Sequence, residues 1–174
     1  ALAERQRMQE LDPTSAFAAV NVGWSYFYKH EYDNAITQYK KALELDPQFS
    51  TAYESLGSTY TLKGSPDDAV EAFLKEKEVS GMPPERLAVF RDAYNTRGIR
   101  GYWQKELESA EERIRQGKGS SRRMARIYTE LGDRDQAFQW LEKAYAEHNT
   151  LLIFLKTDPT FDALREDPRF DDLM

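Results

Sequence analysis

Side chains able to carry chemistry are few and scattered in this chain. It has two histidines, His30 and His148, and no cysteine, which excludes disulfides and thiolate metal sites. Two groups of carboxylates occur close together, Asp67-Asp68 and Asp133-Arg134-Asp135. To work as general acid and base they would have to lie buried in a cleft. Each instead opens a helix. Ser65-Pro66 sets a capping serine before a proline at the first helical position, and Asp133 to Gln136 forms a capping box with aspartate in the serine slot. Gly117-Lys118-Gly119-Ser120 has part of a phosphate loop, yet it lacks the upstream glycine and follows a helix rather than a strand. No GxxxxGK[ST] loop, HExxH pair, GxSxG elbow or glycine-rich dinucleotide fingerprint is found. The expectation is a protein that is not an enzyme and uses neither cofactor nor metal. Two sets of recognition side chains remain: Phe17, Val20, Trp24, Phe27 and Tyr28 on one helix, and Arg122 and Arg126, with Arg123 nearby, on another.

The elements that position these residues recur at a step of 34 residues. From Ala16 to Phe49 the pattern is two helices. Ala19, Val22, Gly23 and Tyr26 share one face of the first, and Ala35, Tyr39 and Ala42 share one face of the second. Asp46-Pro47 then stops the chain, because proline lacks an N–H and restricts the residue before it. Gly23 and Ala35 let the two backbones approach closely, and the large residues fill the gaps around them. The next unit, 50–83, repeats this with Leu56, Gly57, Tyr60, Ala69 and Phe73, and departs from it at Glu76. The unit 118–151 does so with Met124, Ala125, Tyr128, Ala137, Leu141 and Ala144. Between them, 84–117 is a degenerate copy: Leu87, Phe90, Tyr94, Leu107 and Ala110 fit, while Arg91 and Trp103 stand where small residues are expected. Gly64, Gly98 and Gly132 occupy equivalent slots after the first helices, where positive φ ends a helix cheaply. His30 fills that slot in the opening unit as a helix terminator, and His148 follows a helix C-terminus, where a cation suits the dipole.

Counting back from Ala35 reaches Ala1, and Asp12-Pro13 repeats Asp46-Pro47. Residues 1–15 therefore read as the second helix of a truncated repeat. With no initiator methionine, the chain reads as a piece of a longer protein. After Leu151 the run LLIFLKT starts another first helix, which Asp158-Pro159 breaks. Then comes an internal echo, DPTFDALRE and DPRFDDLM, in which Phe161 with Leu164, and Phe170 with Leu173, face one way. Residues 152–174 are expected to be capping helices over the last apolar face of one continuous domain.

Small and large residues alternating through helix pairs at this step resemble the tetratricopeptide repeat. The resemblance implies an all-α fold, a right-handed superhelical solenoid of helix-turn-helix units, here with a C-terminal helical cap. From Gly101-Tyr102-Trp103, through Leu131 to Glu142, to the two Asp-Pro-x-Phe-Asp-x-Leu copies, the chain also resembles the C-terminal repeat region of large bacterial signalling proteins, among them winged-helix transcriptional regulators, cyclases and protein kinases. That implies a parent in bacterial regulation, and none of those upstream domains is present in this sequence.

In the repeat family, the slots of Phe17, Val20, Trp24, Phe27 and Tyr28 line the concave groove. They lie roughly 140° from the stacking face. The next first helix carries Thr51, Glu54, Ser58 and Thr61 in the matching slots, so stacking does not require the aromatic stripe. Contact with the missing first helix of the preceding repeat, or with a neighbouring groove residue, is the competing explanation. The third first helix offers Glu85, Asp92 and Asn95, and the fourth offers Arg122 and Arg126, for which pairing with Glu85 and Asp92 or a solvated face competes with partner binding. Some family members hold a C-terminal carboxylate with a lysine and asparagines. Val20 and Trp24 stand where the leading pair would be, so no such clamp is expected.

Composition agrees with an interaction module. The chain of 174 residues is 40% hydrophobic and 31% charged, with net charge −6 and mean hydropathy −0.76. The negative balance argues against direct nucleic-acid binding. No run approaches the about 18 apolar residues needed to span a bilayer, and no signal peptide is visible. A cytoplasmic location is expected. The function expected is a non-catalytic scaffold that binds a peptide, a helix or an effector domain of its own parent in the groove. The alternative is a regulatory region of a bacterial transcriptional regulator or signalling protein that responds to a small ligand.

Overall fold

A computed structural model describes residues 2–173, apart from the side chain of Leu151. Ala1, where the backward count ends, lies outside the described residues, as does Met174. The described residues are helical throughout, without a strand: α1 Leu2–Leu11, α2 Ala16–Phe27, α3 Tyr32–Leu45, α4 Ser50–Lys63, α5 Pro66–Val79, α6 Pro84–Arg115, α7 Ser121–Leu131, α8 Arg134–Ala146, 3₁₀ turns at Thr150–Phe154 and Pro159–Leu164, and α9 Pro168–Asp172. Packing divides the chain into two compact units, Ala1–Arg91 and Asp92–Met174.

In the first unit α2 pairs with α3, and α4 with α5, each pair closing on a glycine. A Cβ at Gly23 would run into the Tyr39 ring, and one at Gly57 into the Phe73 ring. The two contacts are one design repeated a step of 34 residues apart. Ala19, Ala35, Ala42, Ala52 and Ala69 are fully buried around these rings. Burial raises the Tyr39 hydroxyl well above the usual range for tyrosine, so the ring serves as a neutral packing group. α1 lies on α2: Arg5 donates to the Asn21 carbonyl at 3.0 Å and to Ser25 Oγ at 3.2 Å, and Gln6 donates to Tyr26 at 3.1 Å. The opening turn of α6 closes this unit. Arg91 points outward and pairs with Glu71, and the buried Lys77 lies 4.9 Å from the centre of the Phe90 ring.

In the second unit α6 breaks at Gly98, whose φ of 63° and ψ of −158° are not helical. The chain reverses there so tightly that a Cβ at Gly101 would strike the Ala93 carbonyl, and Arg97 reaches Gln104 at 2.9 Å. The slot anticipated for positive φ behaves alike elsewhere: Gly64 at 75°, Gly132 at 81°, and His30 at 61°. Trp103, in a slot that holds alanine in the regular copies, is buried at 4% exposure with its ring edge-on to Tyr102. The 34-residue rule thus holds for position and gives way for size.

The C-terminal echo covers α7 and α8. Phe161, Leu164 and Phe170 join Ala125, Ala137, Phe138 and Leu141 in one core. Asp158 and Asp167 each cap the turn that follows, accepting from Thr160 N and Arg169 N. Asp133 caps α8 as expected, whereas Ser65 makes no side-chain capping bond to α5. The run after Leu151 forms a single 3₁₀ turn at Thr150–Phe154 rather than a two-turn first helix. The cap needs the chain back over α7 within a few residues, which leaves no length for a longer helix.

Candidate functional site

The aromatic stripe on α2 splits in two. α2 has no charged residue and is packed by α1, α3 and α4 together, so only a narrow strip of it can reach solvent. Val20 is at 0% exposure and Phe27 at 7%; both belong to the core, contrary to the expectation that they line an open groove. Trp24 and Tyr28 are half-buried against the same core. The Trp24 indole N–H donates to Ser55 Oγ of α4 at 3.0 Å, so the competing explanation, contact with a neighbouring groove residue, applies to it. Phe17 alone stands clear, at 56% exposure in the first turn of α2. Open or partly open on α2 and at its C-cap are therefore Phe17, Asn21, Trp24 and Tyr28, and on the neighbouring α4 the polar Thr51 and Glu54.

The arginines of α7 have identifiable work inside the second unit. Arg122 pairs with Asp158, a carboxylate at 2% exposure, and its guanidinium lies 5.5 Å from the centre of the Phe161 ring. Its acidic partner is thus the first residue of the echo and not one of the pair anticipated from sequence. Arg126 lies over the Trp103 ring at 5.5 Å. It also draws down the Glu130 carboxyl, which burial raises more strongly above its usual range. Both side chains thus have partners inside the unit, and their helix spacing carried no sign of it.

Sequence reasoning missed Glu106. It is buried at 2% exposure, accepts from the Tyr102 hydroxyl at 3.0 Å and pairs with Arg123 at 2.7 Å. Tyr102 and Glu106 are four residues apart on one helix, a spacing that brings side chains into contact; that spacing was the available signal. A buried carboxylate with a tyrosine and an arginine on it is satisfied rather than poised, so it marks structure and not catalysis. Among the described residues no group of histidines and carboxylates could hold a metal ion. No described helix is long and apolar enough to cross a membrane.

Comparison with known families agrees with this geometry. A family model described as TPR repeat matches residues 23–64, from the glycine under Tyr39 to the glycine that ends α4. A second, described as Tetratricopeptide repeat, matches residues 123–146, which span most of α7 and all of α8. These two stretches are tetratricopeptide repeats, and such repeats generally mediate protein–protein interactions. No curated protein matches it.

Proposed function

We propose that the chain is a non-catalytic scaffold that binds a peptide or a helix of a protein partner along the strip between α2 and α4. The observation that carries the reading is Phe17. It is a large aromatic at 56% exposure, backed by the half-buried Trp24 and Tyr28 on a rigid helix pair. An exposed ring beside partly covered aromatics provides an anchor with little ordering cost, and aromatic anchors tend to dominate interface energy. Asn21, Thr51 and Glu54 around it can satisfy a ligand backbone or a basic side chain. The bacterial-regulator resemblance of the C-terminal half supports a parent in signalling, where the partner can be another domain of the same protein.

The test is selection of a displayed library of short random peptides on the wild-type chain. Enriched sequences should share an apolar or aromatic position and should rebind poorly to Phe17→Ala. Enriched peptides indifferent to Phe17→Ala, Tyr28→Ala and Glu54→Lys would place the binding surface elsewhere and defeat the reading.

A further inference from the structure

Charge in the first unit is sorted by helix. Residues 1–91 carry fourteen carboxylates against ten lysines and arginines. α5 alone has seven charged side chains, whereas α2 has none and α4 has two, Glu54 and Lys63. Lys63 ends α4 and pairs with Asp33 of α3. Arg5 of α1 is turned into the seam with α2, donating to the Asn21 carbonyl and to Ser25 Oγ. Glu54 is thus the sole acid on α2 and α4, and it is exposed. It also stands close to the aromatics: the Trp24 indole N–H reaches Ser55, the next residue along α4. Glu85, exposed in the first turn of α6, adds a second carboxylate in the slot that Phe17 and Thr51 hold at steps of 34 residues.

Elsewhere the chain lays its own cations on aromatic rings: Lys77 on Phe90, Arg126 on Trp103 and Arg169 on Phe138. α2 brings no charge of its own to Phe17 or Trp24. A cationic side chain from a ligand therefore gains twice here, from the carboxylate and from the ring quadrupole, while an acidic one meets like charge. We infer, on the reading of this strip as a peptide-binding surface, that the bound peptide is cationic. It sets an apolar or aromatic side chain against Phe17 and a neighbouring arginine or lysine on Glu54. Arginine is preferred to lysine, because its planar guanidinium can stack on a ring while it holds a carboxylate.

The test selects a displayed library of random peptides on the wild-type chain and titrates the enriched peptides into wild type, Phe17→Ala, Glu54→Gln and Glu44→Gln. Glu44 is exposed on α3, so its change removes the same charge from another helix and controls for general attraction to a chain of net charge −6. Enriched peptides should carry arginine or lysine in excess of the starting library, close to an apolar residue. Their affinity should fall about threefold or more in Glu54→Gln, as for loss of one exposed ion pair, and stay unchanged in Glu44→Gln. Added salt should narrow the difference between wild type and Glu54→Gln. Peptides that need Phe17 but show no excess of arginine or lysine overturn the inference and leave the peptide-binding reading standing. So do Phe17-dependent peptides that bind Glu54→Gln as well as wild type, or that lose as much affinity in Glu44→Gln. A selection that enriches no Phe17-dependent peptide overturns both.

Discussion

Single residues decide most of what this chain can and cannot do. Gly57 and Gly23 are small because a ring from the partner helix lies where their side chains would be. Gly57→Ala should therefore cost about 1–3 kcal/mol through overpacking, visible as a lowered denaturant midpoint with an unchanged slope. Trp103 is the converse, a large residue in a small slot that is filled and not clashing. Trp103→Ala should cost about 3–5 kcal/mol, and its indole should be protected from acrylamide in the wild type; a freely quenched Trp103 would mean the degenerate copy is misframed. The small slots were legible in the sequence because glycine and alanine recur at a fixed step. The burial of Val20 and Phe27 was not legible, because one helix period cannot tell a face turned to solvent from one covered by a third helix. α1 and α4 both pack on α2, and only the tertiary arrangement reveals it.

At the scale of elements, the second unit is closed by ion pairs and a cap of short turns rather than by a long helix. Arg169 illustrates the electrostatics. Its hydrogen bond to Asp167 is the main reason that carboxyl titrates at about 2, below its usual range. A depressed folded value means that the pair's contribution is present above about pH 4, the unfolded value, and is lost as the pH falls toward about 2. Urea unfolding between pH 5 and pH 2.5 should show wild type losing more stability than Asp167→Asn, and equal losses would remove Asp167 from the acid response. The Asp-Pro-x-Phe echo gave away the cap in the sequence, since it carries its own start signals. The 3₁₀ turn at Thr150–Phe154 was read as helix because an apolar run has no local mark of how soon the chain must turn back over α7.

For the whole molecule, the repeat class followed from periodicity, while the surface proposed to meet a partner rests on which aromatics stay uncovered. That change moves the decisive substitution from Trp24 to Phe17. Trp24→Ala removes a hydrogen bond to Ser55 and core packing as well as any contact with a ligand, so its effects on affinity and on stability cannot be separated. Phe17 is the most exposed of these rings, at 56%, so its truncation removes the least packing. The direct measurement is calorimetric titration of a library-selected peptide into wild type and Phe17→Ala, with thermal unfolding of both. The account predicts at least about a tenfold loss of affinity, equivalent to about 1.4 kcal/mol, with the unfolding midpoint unchanged. An unchanged affinity, or a loss that only follows a lowered midpoint, would contradict it.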